Sequence, residues 1–472
     1  MVQLALIGSV VVLLSIVSSK LLYRFGIPTL LIFMGLGMLF GSDGIGGIEF
    51  SNYTLTKDLC SYGLVFIMFY GGFGTNWKVA KPVVVPSLLM STLGTIITAL
   101  LCGLFCHFAL GMTLLEGLLI GAVIASTDAA SVFSILRSRK INLKGGLASL
   151  LELESGSNDP FAYMLMIVTL TLMSNDTDTS LVQVLILQLV LGIGIGAITA
   201  LLAGFVLKRV NLEIDGLYPI FVAAIAILAY SLCEHFGGNG YLCVYIVGLY
   251  LGNTKILHKK SLVHFVDGIS WLMQILLFFM LGLLSFPSHL PEVAFKGVAI
   301  SLFLVLVARP AAVFGILKWF KFPVKHMLFV SWVGLRGAAS IVFAIFALTY
   351  DVAIKNDIFH IVFFVSLFSV AIQGTLLPLV AKKLDLVEED SPVGKTFTDY
   401  QEEISTELVE MPIDEDNPWA NKSIMDAEIP EEILVVMIKR KQDVIVPKGS
   451  TMILVGDTLV LSGNDFDSLL QS

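Results

Sequence analysis

The sequence predicts an all-α polytopic membrane protein of about 13 transmembrane helices, followed by a small α+β cytoplasmic domain at the C-terminus. Of its 472 residues, 56% are hydrophobic and 14% are charged, whereas an ordinary soluble domain has about 25% charged residues. Apolar windows of about 20 residues, the length that crosses a bilayer, recur up to residue 383. From residue 384 onward, 20 acidic residues stand against 6 basic ones. The composition therefore separates a membrane domain from a soluble tail.

The predicted spans alternate with loops whose charges set the topology. Thirteen apolar segments lie near residues 2–22, 27–41, 59–76, 83–109, 114–136, 147–173, 181–207, 217–234, 239–254, 262–286, 294–317, 325–350 and 358–381. The first lacks the basic start of a signal peptide, so we expect it to be a membrane helix. Loops after odd-numbered spans carry 18 lysines and arginines, and loops after even-numbered spans carry three. Because basic loops stay in the cytoplasm, we expect a multi-pass protein of the plasma (inner) membrane, with its N-terminus outside and its tail cytoplasmic.

Span six carries a polar stretch, Glu152-Leu-Glu-Ser-Gly-Ser-Asn-Asp159, inside an otherwise apolar segment. A charge in hydrocarbon costs at least about 2.5 kcal/mol, so an acid at this depth is expected to face a protein interior or a water-filled cavity. On a helix, Ser155 and Asp159 share one face, and Glu154 and Asn158 share an adjacent one. Oxygen groups of this kind can replace the hydration shell of an alkali cation. The apolar flanks argue against the alternative, a polar surface helix of a soluble domain.

Spans five and twelve carry matching polar tracts. Ala125-Ser-Thr-Asp-Ala-Ala-Ser131 places Thr127 and Asp128 deep in the membrane, and Gly334-Leu-Arg-Gly-Ala-Ala-Ser340 places Arg336 there. The tracts lie seven spans apart and therefore run in opposite directions, as an inverted repeat requires. Such paired interruptions indicate broken helices around a transport site. The competing interpretation is a surface of small residues for close helix contact. Each tract carries a charge, which favours broken helices.

The tail begins with an acidic linker at residues 384–404, after a membrane domain at residues 1–383. Residues 405–472 contain short apolar runs separated by turns rich in glycine, proline and charge, at 433–438, 443–446 and 457–462. This pattern is typical of strands, and it predicts a small domain in which strands predominate. The five cysteines lie in or beside apolar spans without metal-ligand or redox spacing, so we expect them to act as small hydrophobic side chains.

These residues favour a secondary transporter over two other classes of membrane protein. A channel needs a selectivity filter of carbonyls or a ring of charges, and the sequence contains no filter motif of that kind. An enzyme needs a nucleophile and base, or a metal cluster, at depth, and none of the seven histidines lies in the middle of a span. A mid-membrane carboxylate that binds either a proton or a metal ion allows exchange without a nucleotide or another cofactor, by movement of core spans against a scaffold.

The motifs also resemble a known family. Thr127-Asp128, Glu154-Ser-Gly-Ser-Asn-Asp159 and Gly334-Leu-Arg-Gly337, in this order in a chain of thirteen spans, resemble the NhaP-type monovalent cation/proton antiporters of the cation:proton antiporter-1 family over about residues 1–383. In the tail, Ile445-Val-Pro-Lys-Gly-Ser450 and Val455-Gly-Asp-Thr-Leu-Val-Leu-Ser-Gly463 resemble the TrkA-C (RCK-C) module of potassium-conductance regulators. The combination resembles the potassium/proton branch, the cell-volume-regulation antiporters. It implies exchange of K⁺, and of Na⁺ as an alternative substrate, for H⁺.

The resemblance implies a role for each matching residue of the two central motifs. Asp159 would bind the cation or the proton, Thr127 and Ser155 would add further oxygens, and Asn158 would fix their neighbours. An Asn-Asp pair in place of the Asp-Asp of electrogenic relatives implies one carboxylate and electroneutral exchange. A homodimer, a nucleotide as ligand of the tail, and no nucleic-acid partner are also implied. A Na⁺(Li⁺)/H⁺ antiporter is the alternative within the family.

The resemblance further implies a structural ion pair between Glu154 and Arg336, with Asp128 between the ends of the broken helices. The sequence departs from the family pattern at two positions. Many relatives have proline after the Thr-Asp pair and an acid before the Gly-Gly of span three, where this chain has Ala129 and Tyr70. The missing acid affects the expected coordination and cation preference.

Three further charged residues have more than one interpretation. Arg309 is either a second core cation or a residue near the outer end of span eleven, and we favour a structural role. Glu152 either lines an access funnel or pairs with Lys144. Glu234 lies at the outer end of span eight and is expected to be interfacial rather than a pH sensor. The basic cluster at residues 255–260 is expected to contact anionic lipid headgroups.

Overall fold

The computed structural model describes residues 8–10, 12–17, 29–139, 141–174, 180–209, 214–256, 259–388, 407–415, 417–427, 429–430, 433–440 and 443–463. The chain divides into two units, Met1–Asp399 and Tyr400–Ser472. Parts of the first predicted span and most of the predicted acidic linker lie outside the described residues.

The first unit is built of helices joined by short loops. Residues 8–10 and 12–17 are helical. The helices that follow are α1 (Thr29–Phe40), α2 (Tyr53–Gly74), α3 (Trp77–Leu110), α4 (Leu114–Ile124), α5 (Ala129–Ser138), α6 (Leu147–Met173), α7 (Leu181–Arg209), α8 (Leu217–His235), α9 (Gly240–Asn253), α10 (Lys259–Leu284), α11 (Pro287–Phe320), α12 (Val324–Trp332), α13 (Ala338–Leu348) and α14 (Ile358–Lys383). Within the described residues, seven helical stretches are long and apolar enough to cross a membrane. The helices match predicted spans two to thirteen, and the count of thirteen stays a prediction.

The prediction of two broken spans is confirmed. Span five is interrupted at residues 125–128, between α4 and α5, and span twelve at residues 333–337, between α12 and α13. The spans that precede them share another irregularity. A π-helical turn interrupts α3 at Met90–Gly94 and α11 at Leu304–Ala308. Two irregularities thus recur seven spans later in the same order, which supports the inverted repeat.

Close helix contacts join α2 to α9. A Cβ atom added to Gly248 of α9 would collide with the carbonyl oxygen of Phe69 in α2, and one added to Gly72 would collide with that of Tyr245. Only glycine permits this backbone approach, and small residues at helix interfaces are typical of membrane proteins. The contact fixes α2, which supplies one wall of the cavity described below.

The segment after α14 returns to the loop that precedes α6. Lys144 N–H donates to the Leu386 carbonyl at 2.9 Å, and Glu388 N–H donates to the Asn142 carbonyl at 3.0 Å. The Leu386 side chain is buried in the hydrophobic cluster that includes Leu147 of α6. The exposed Lys144 ammonium lies 3.3 Å from Asp385. The predicted alternative in which Lys144 pairs with Glu152 is therefore wrong, because Asp385 lies beside this ammonium.

The second unit contains a four-stranded antiparallel sheet. Its strands are β1 (Glu407–Pro412), β2 (Leu434–Arg440), β3 (Asp443–Ile445) and β4 (Asp457–Gly463), in the order β1-β4-β2-β3. The last three cover the three predicted apolar runs, which confirms the strand prediction, and β1 was not predicted. Trp419, Ile438, Ile453 and Leu459 are among the side chains of its core.

An ion pair between a partly exposed arginine and a buried acid joins two strands of this sheet. The Arg440 guanidinium donates to both carboxylate oxygens of Asp457, at 2.8 and 2.7 Å. Asp457 is 1% exposed. These hydrogen bonds from Arg440 lower the pKa of the Asp457 carboxyl below its ordinary value of 3.8, because they favour the charged form.

Candidate cation and proton site

The two unwound stretches meet. Asp128 N–H, at the end of the first break, donates to the Leu335 carbonyl in the second at 2.8 Å. A Cβ atom on Gly337 would collide with the Asp128 carboxylate, so glycine is required where the stretches touch. Unwound backbone is tolerated at this depth only where it is buried in protein or lines a water-filled cavity. The crossing therefore needs its polar groups satisfied locally.

Charged side chains satisfy the helix ends at the crossing. The Asp128 carboxylate caps α5, accepting from Ser131 N–H at 3.1 Å and from the Ser131 hydroxyl at 2.5 Å. It also lies against Gly337, the N-cap of α13. The Arg336 guanidinium is fully buried and donates to the carbonyls of Ala125 and Ser126, at 2.7 and 2.6 Å, at the C-terminal end of α4. An acid at helix N-termini and a cation at a helix C-terminus are the arrangement that the helix dipole favours.

Helix α14 supports the second break through its π-helical turn, Ser369–Gly374. Arg336 N–H donates to the Ser369 hydroxyl at 3.1 Å, and that hydroxyl donates to the Gln373 side-chain oxygen at 2.6 Å. The Gln373 amide in turn donates to the Trp332 carbonyl, at the end of α12, at 2.9 Å. Two backbone groups at the break, the Arg336 N–H and the Trp332 carbonyl, are thereby hydrogen-bonded within the protein.

Two polar residues of α6 hold the first break. The Ser155 hydroxyl donates to the Thr127 carbonyl at 2.7 Å and accepts from Ala129 N–H at 2.8 Å. The Asn158 amide donates to the Thr127 hydroxyl at 2.5 Å, and its oxygen accepts from Thr127 N–H at 3.4 Å. The unwound residue Thr127 is therefore bound to α6 through its backbone and its side chain.

Asp159 lies beside this contact, near the middle of α6. It is 5% exposed, and its Oδ1 accepts a hydrogen bond from the Ser126 hydroxyl. A cavity of about 130 Å³ adjoins the carboxylate and is also lined by Thr127, Asp128 and Ser155. That volume is enough for several water molecules. Ser155 and Asp159 thus face one cavity, as their spacing predicts.

The cavity extends along α6 from Asp159 to Glu152. Arg137 of α5 and Tyr70 of α2 line it as well, and Gln274 of α10 contributes a buried amide. Glu152 precedes Asp159 by seven residues, about 10 Å along a helix axis. The cavity therefore leads from mid-span toward the end of the bundle where the basic loop after α5 begins.

The predicted ion pair between Glu154 and Arg336 is wrong, because Glu154 pairs with Arg309 instead. Glu154 Oε1 lies 2.5 Å from Nη1 of Arg309, and their side chains are 1% and 5% exposed. The Arg336 guanidinium instead donates hydrogen bonds to two carbonyl oxygens of the first break. The π-helical turn that precedes Arg309 changes which face of α11 the following residues present, since an extra residue enters the turn. Arg309 is thus a core cation, consistent with the structural role favoured from the sequence.

Two residues at or beside the site were missed by sequence reasoning. Ser126, which donates to Asp159, directly precedes Thr127, and its hydroxyl could have been included with the neighbouring oxygens. Gln274 is an amide in the middle of apolar span ten, an exception of the kind that marks a polar interior. Both signals were present, but neither residue lies in a motif with a specific spacing.

The fold and the site define a class of membrane protein. Two broken helices that cross beside an acid at mid-span are the architecture of secondary transporters, in which half-helix ends and unwound backbone surround the ion site. The family model described as sodium/hydrogen exchanger, transmembrane, matches residues 9–383, and the TrkA-C domain matches residues 408–467. The chain belongs to the sodium/hydrogen exchanger family and carries a TrkA-C domain.

Curated relatives and a solved structure resemble the chain over most of its length. It is 34% identical over 466 residues to the K(+)/H(+) antiporter NhaP2 of Shewanella baltica, covering 98% of this chain and 81% of that one. It is 35% identical to the K(+)/H(+) antiporter NhaP of Alkalimonas amylolytica, over 97% of this chain and 80% of that protein. It is 30% identical to the Na(+)/H(+) antiporter NhaH of Halobacillus aidingensis, over 63% of this chain and 75% of that protein. The sodium proton antiporter MjNhaP1 from Methanocaldococcus jannaschii shares the fold, with a TM-score of 0.71, 23% identity and coverage of 80% and 97%.

Proposed function

We propose that this chain is an electroneutral antiporter that exchanges K⁺ for H⁺, with Asp159 binding either ion in turn. The observation that supports this most directly is the position of Asp159 at mid-span, beside two crossed broken helices and a cavity with room for several water molecules. The nearby carboxylate of Asp128 accepts two hydrogen bonds from Ser131 as the cap of α5. Asp128 therefore has a structural role as a helix cap, and Asp159 is the carboxylate that remains to bind the transported ion.

In this proposal the cation is bound by the Asp159 carboxylate together with oxygens of Ser155 and Thr127. All three residues line the cavity. Asn158 positions Thr127 through two hydrogen bonds. Because Asn158 is an amide, the pair supplies one carboxylate, which binds one proton or one monovalent cation. The exchange then moves no net charge.

Competition of two ligands for one carboxylate couples cation transport to proton transport. A proton on Asp159 removes the charge that attracts the cation, and a bound cation occupies the oxygen that would take the proton. If the site changes sides only when it is occupied, each cation that crosses requires a proton to cross in the other direction. Core helices α4–α6 and α12–α13 would move against a scaffold that includes α2 and α10, as in other alternating-access transporters.

The cavity is proposed to face the cytoplasm. It leads to Arg137 and Glu152, near the basic loop between α5 and α6, and basic loops are cytoplasmic by the positive-inside rule. Glu152 would then line the access funnel and attract cations, since acids outnumber the one basic residue of the described lining, Arg137, and an excess of one charge raises the local concentration of counter-ions. Tyr70 would supply a phenol where relatives of the predicted family carry an acid.

K⁺ is proposed as the cation because of which relatives match the whole chain. Two relatives named for K⁺ match 97–98% of it, the TrkA-C region included. The relative named for Na⁺ matches 63%. Na⁺ remains the alternative substrate, supported by that relative.

The tail is proposed to regulate exchange by binding a small ligand, with a nucleotide as the ligand class. The same proposal places a homodimer in the plasma (inner) membrane, with the tail in the cytoplasm and anionic lipid near the basic residues after α9. Its cellular role would be homeostasis of cation content, pH and volume.

Asp159→Asn tests the assignment of the site. The substitution keeps the shape of the side chain but removes both the titrating group and its charge, so the protein should fold and exchange nothing at any pH. Asp159→Glu should retain weak exchange with altered cation affinity. Asp351→Asn, which removes an exposed carboxylate outside the site, should exchange like the wild type.

The measurement is collapse of a pH gradient in proteoliposomes on addition of K⁺, Na⁺ or Li⁺ in turn, with the membrane potential clamped. In the wild type, a higher proton concentration should raise the KM for the cation without a matching fall in maximal rate. An Asp159→Asn protein that still dissipates the gradient on addition of K⁺ would contradict the proposal.

A further inference from the structure

On the side of Asp159 away from the cavity, aromatic rings from three helices meet. Tyr163 follows Asp159 by one turn of α6, and its ring lies edge-on to that of Tyr241 in α9, with centroids 5.1 Å apart and an interplanar angle of 87°. The rings of Phe343 and Phe346 in α13 each lie 5.7 Å from Tyr163. Edge-to-face contacts of this kind stabilise one arrangement of the rings. The cluster lies between Asp159 and the end of the bundle opposite the cavity.

A carboxylate lies directly behind these rings. Glu234, in the last turn of α8, is partly buried, and its Oε2 lies 3.5 Å from the Tyr163 hydroxyl. Its Oε1 accepts a hydrogen bond from Gly240 N–H at 2.9 Å. The Tyr230 ring, one turn before Glu234 on α8, contacts Tyr241 at 5.2 Å. An acid with one backbone N–H donor and a phenol 3.5 Å away, among aromatic rings, is costly to bury, which makes Glu234 a candidate functional residue.

Glu152 and Glu234 lie on opposite sides of Asp159 along α6, since Glu152 precedes Asp159 and Glu234 contacts Tyr163, which follows it. Glu152 precedes Asp159 by two turns of α6 and lines the open cavity. Glu234 is reached from Asp159 through Tyr163, on the side that the rings close. An alternating-access transporter needs an aqueous route to its site from each face of the membrane.

We propose that Glu234 is the carboxylate through which monovalent cations and protons reach Asp159 from the face opposite the cavity. The Tyr163 ring closes this second route in the conformation seen here. The inference rests on the proposed exchange at Asp159 and adds the groups that act on the other face. When α6 and α13 move together, Tyr163 and Phe343 leave Tyr241, and Glu234 then faces the opened route.

The alternative is that Glu234 only anchors the turn between α8 and α9 through Gly240. An anchoring role predicts a loss of stability and an equal effect on cation use from both faces. A role in access predicts an effect from one face only. A measurement that separates the two faces therefore distinguishes them.

The experiment measures exchange in membrane vesicles of both orientations, with orientation checked by protease cleavage of the tail. Glu234→Gln should raise the KM for K⁺ at least about tenfold when K⁺ is added on the face opposite the tail, the lower end of the enrichment that a charged cleft provides. From the tail side its KM should equal that of the wild type. Glu152→Gln should show the reverse pattern. Glu292→Gln, which removes an exposed carboxylate near the start of α11, should change neither value.

Equal KM changes from both faces, or no change from either, would overturn the assignment of Glu234. If Glu234→Gln does not fold, Glu234→Asp preserves the charge on a shorter stem and should show a smaller, one-sided rise in KM. A folded Glu234→Asp protein with wild-type KM on both faces would also overturn it. Wild-type vesicles without any K⁺-dependent proton movement would instead contradict the exchange proposed at Asp159.

The role of Tyr163 has a separate readout. Tyr163→Leu keeps an apolar side chain but shortens it, and it should allow K⁺ to leak across vesicles in the absence of a pH gradient. Tyr163→Phe preserves the ring and should not leak. A folded Tyr163→Leu protein as tight as the wild type would show that this ring does not close the route.

Discussion

The buried pair of Glu154 and Arg309 should behave as one unit in a double-mutant cycle. At 2.5 Å and an effective dielectric constant of 20, the attraction between two unit charges is roughly 7 kcal/mol. Most of this offsets the cost of removing both charges from water. Removing one partner strands the other, which costs about 3–5 kcal/mol. We therefore expect Glu154→Gln or Arg309→Met alone to lower the free energy of unfolding by that amount.

The double variant should recover much of the loss, because two neutral side chains of similar volume leave no charge stranded. The measurement is the free energy of unfolding of the purified protein, from an SDS titration in mixed micelles. The exposed pair of Lys144 and Asp385, with side chains 43% and 77% exposed, is the matched control and should show a coupling of at most about 1 kcal/mol.

A second cycle separates the observed partner from the one predicted from the sequence. Glu154→Gln combined with Arg336→Met should show no such rescue, since the Arg336 guanidinium donates to the carbonyls of Ala125 and Ser126. Strong coupling in the Arg336 cycle and none in the Arg309 cycle would refute the pairing described here.

Two further predictions concern the tail and its connection to the membrane unit. Deleting residues 389–472 should leave exchange intact and change only its response to pH or ligand, measured by the same vesicle assay. Deleting residues 385–472 should also lower the free energy of unfolding by about 2–5 kcal/mol, because it removes the buried Leu386 side chain. If the protein that lacks residues 389–472 folds but does not exchange ions, the tail is not purely regulatory. Arg440→Met should make the tail easier to cleave by protease at pH 7. The pKa of Asp457 is depressed in the folded state, so the stabilisation is present above the unfolded value near 3.8 and is lost as the pH falls through the folded pKa. A difference between variant and wild type that did not shrink as the pH falls from about 4 would contradict this origin.

Much of the membrane unit could be predicted because insertion in lipid leaves few alternatives. Backbone groups in hydrocarbon must be bonded within the segment, so apolar length alone locates helices. Charges at depth are costly, so Asp128, Asp159 and Arg336 indicated an interior site without any structure. The likeness of the tracts at 125–131 and 334–340 then predicted both breaks.

The partner of Glu154 could not be predicted, because two arginines in the second half of the chain were available to it. Which one faces α6 depends on the rotation of α11, and the π-helical turn at Leu304–Ala308 alters that rotation. The position of Glu234 was predicted to be interfacial, but its contact with Tyr163 depends on how α8 packs beside α6. Contacts of this kind follow from the three-dimensional arrangement of helices and not from periodicity.

The charges around the crossing explain why the site would accept one monovalent ion. Each helix terminus contributes a charge of about 0.5, positive at the N-termini of α5 and α13 and negative at the C-termini of α4 and α12, so the four ends cancel. Asp128 balances Arg336 at these ends, and Glu154 balances Arg309 beside them. Asp159 is then left with a single negative charge at mid-span. One proton or one K⁺ makes the crossing neutral, whereas an empty site carries a charge whose passage through hydrocarbon is costly. This balance would restrict the moving site to its two loaded states, which is the condition for one-for-one exchange.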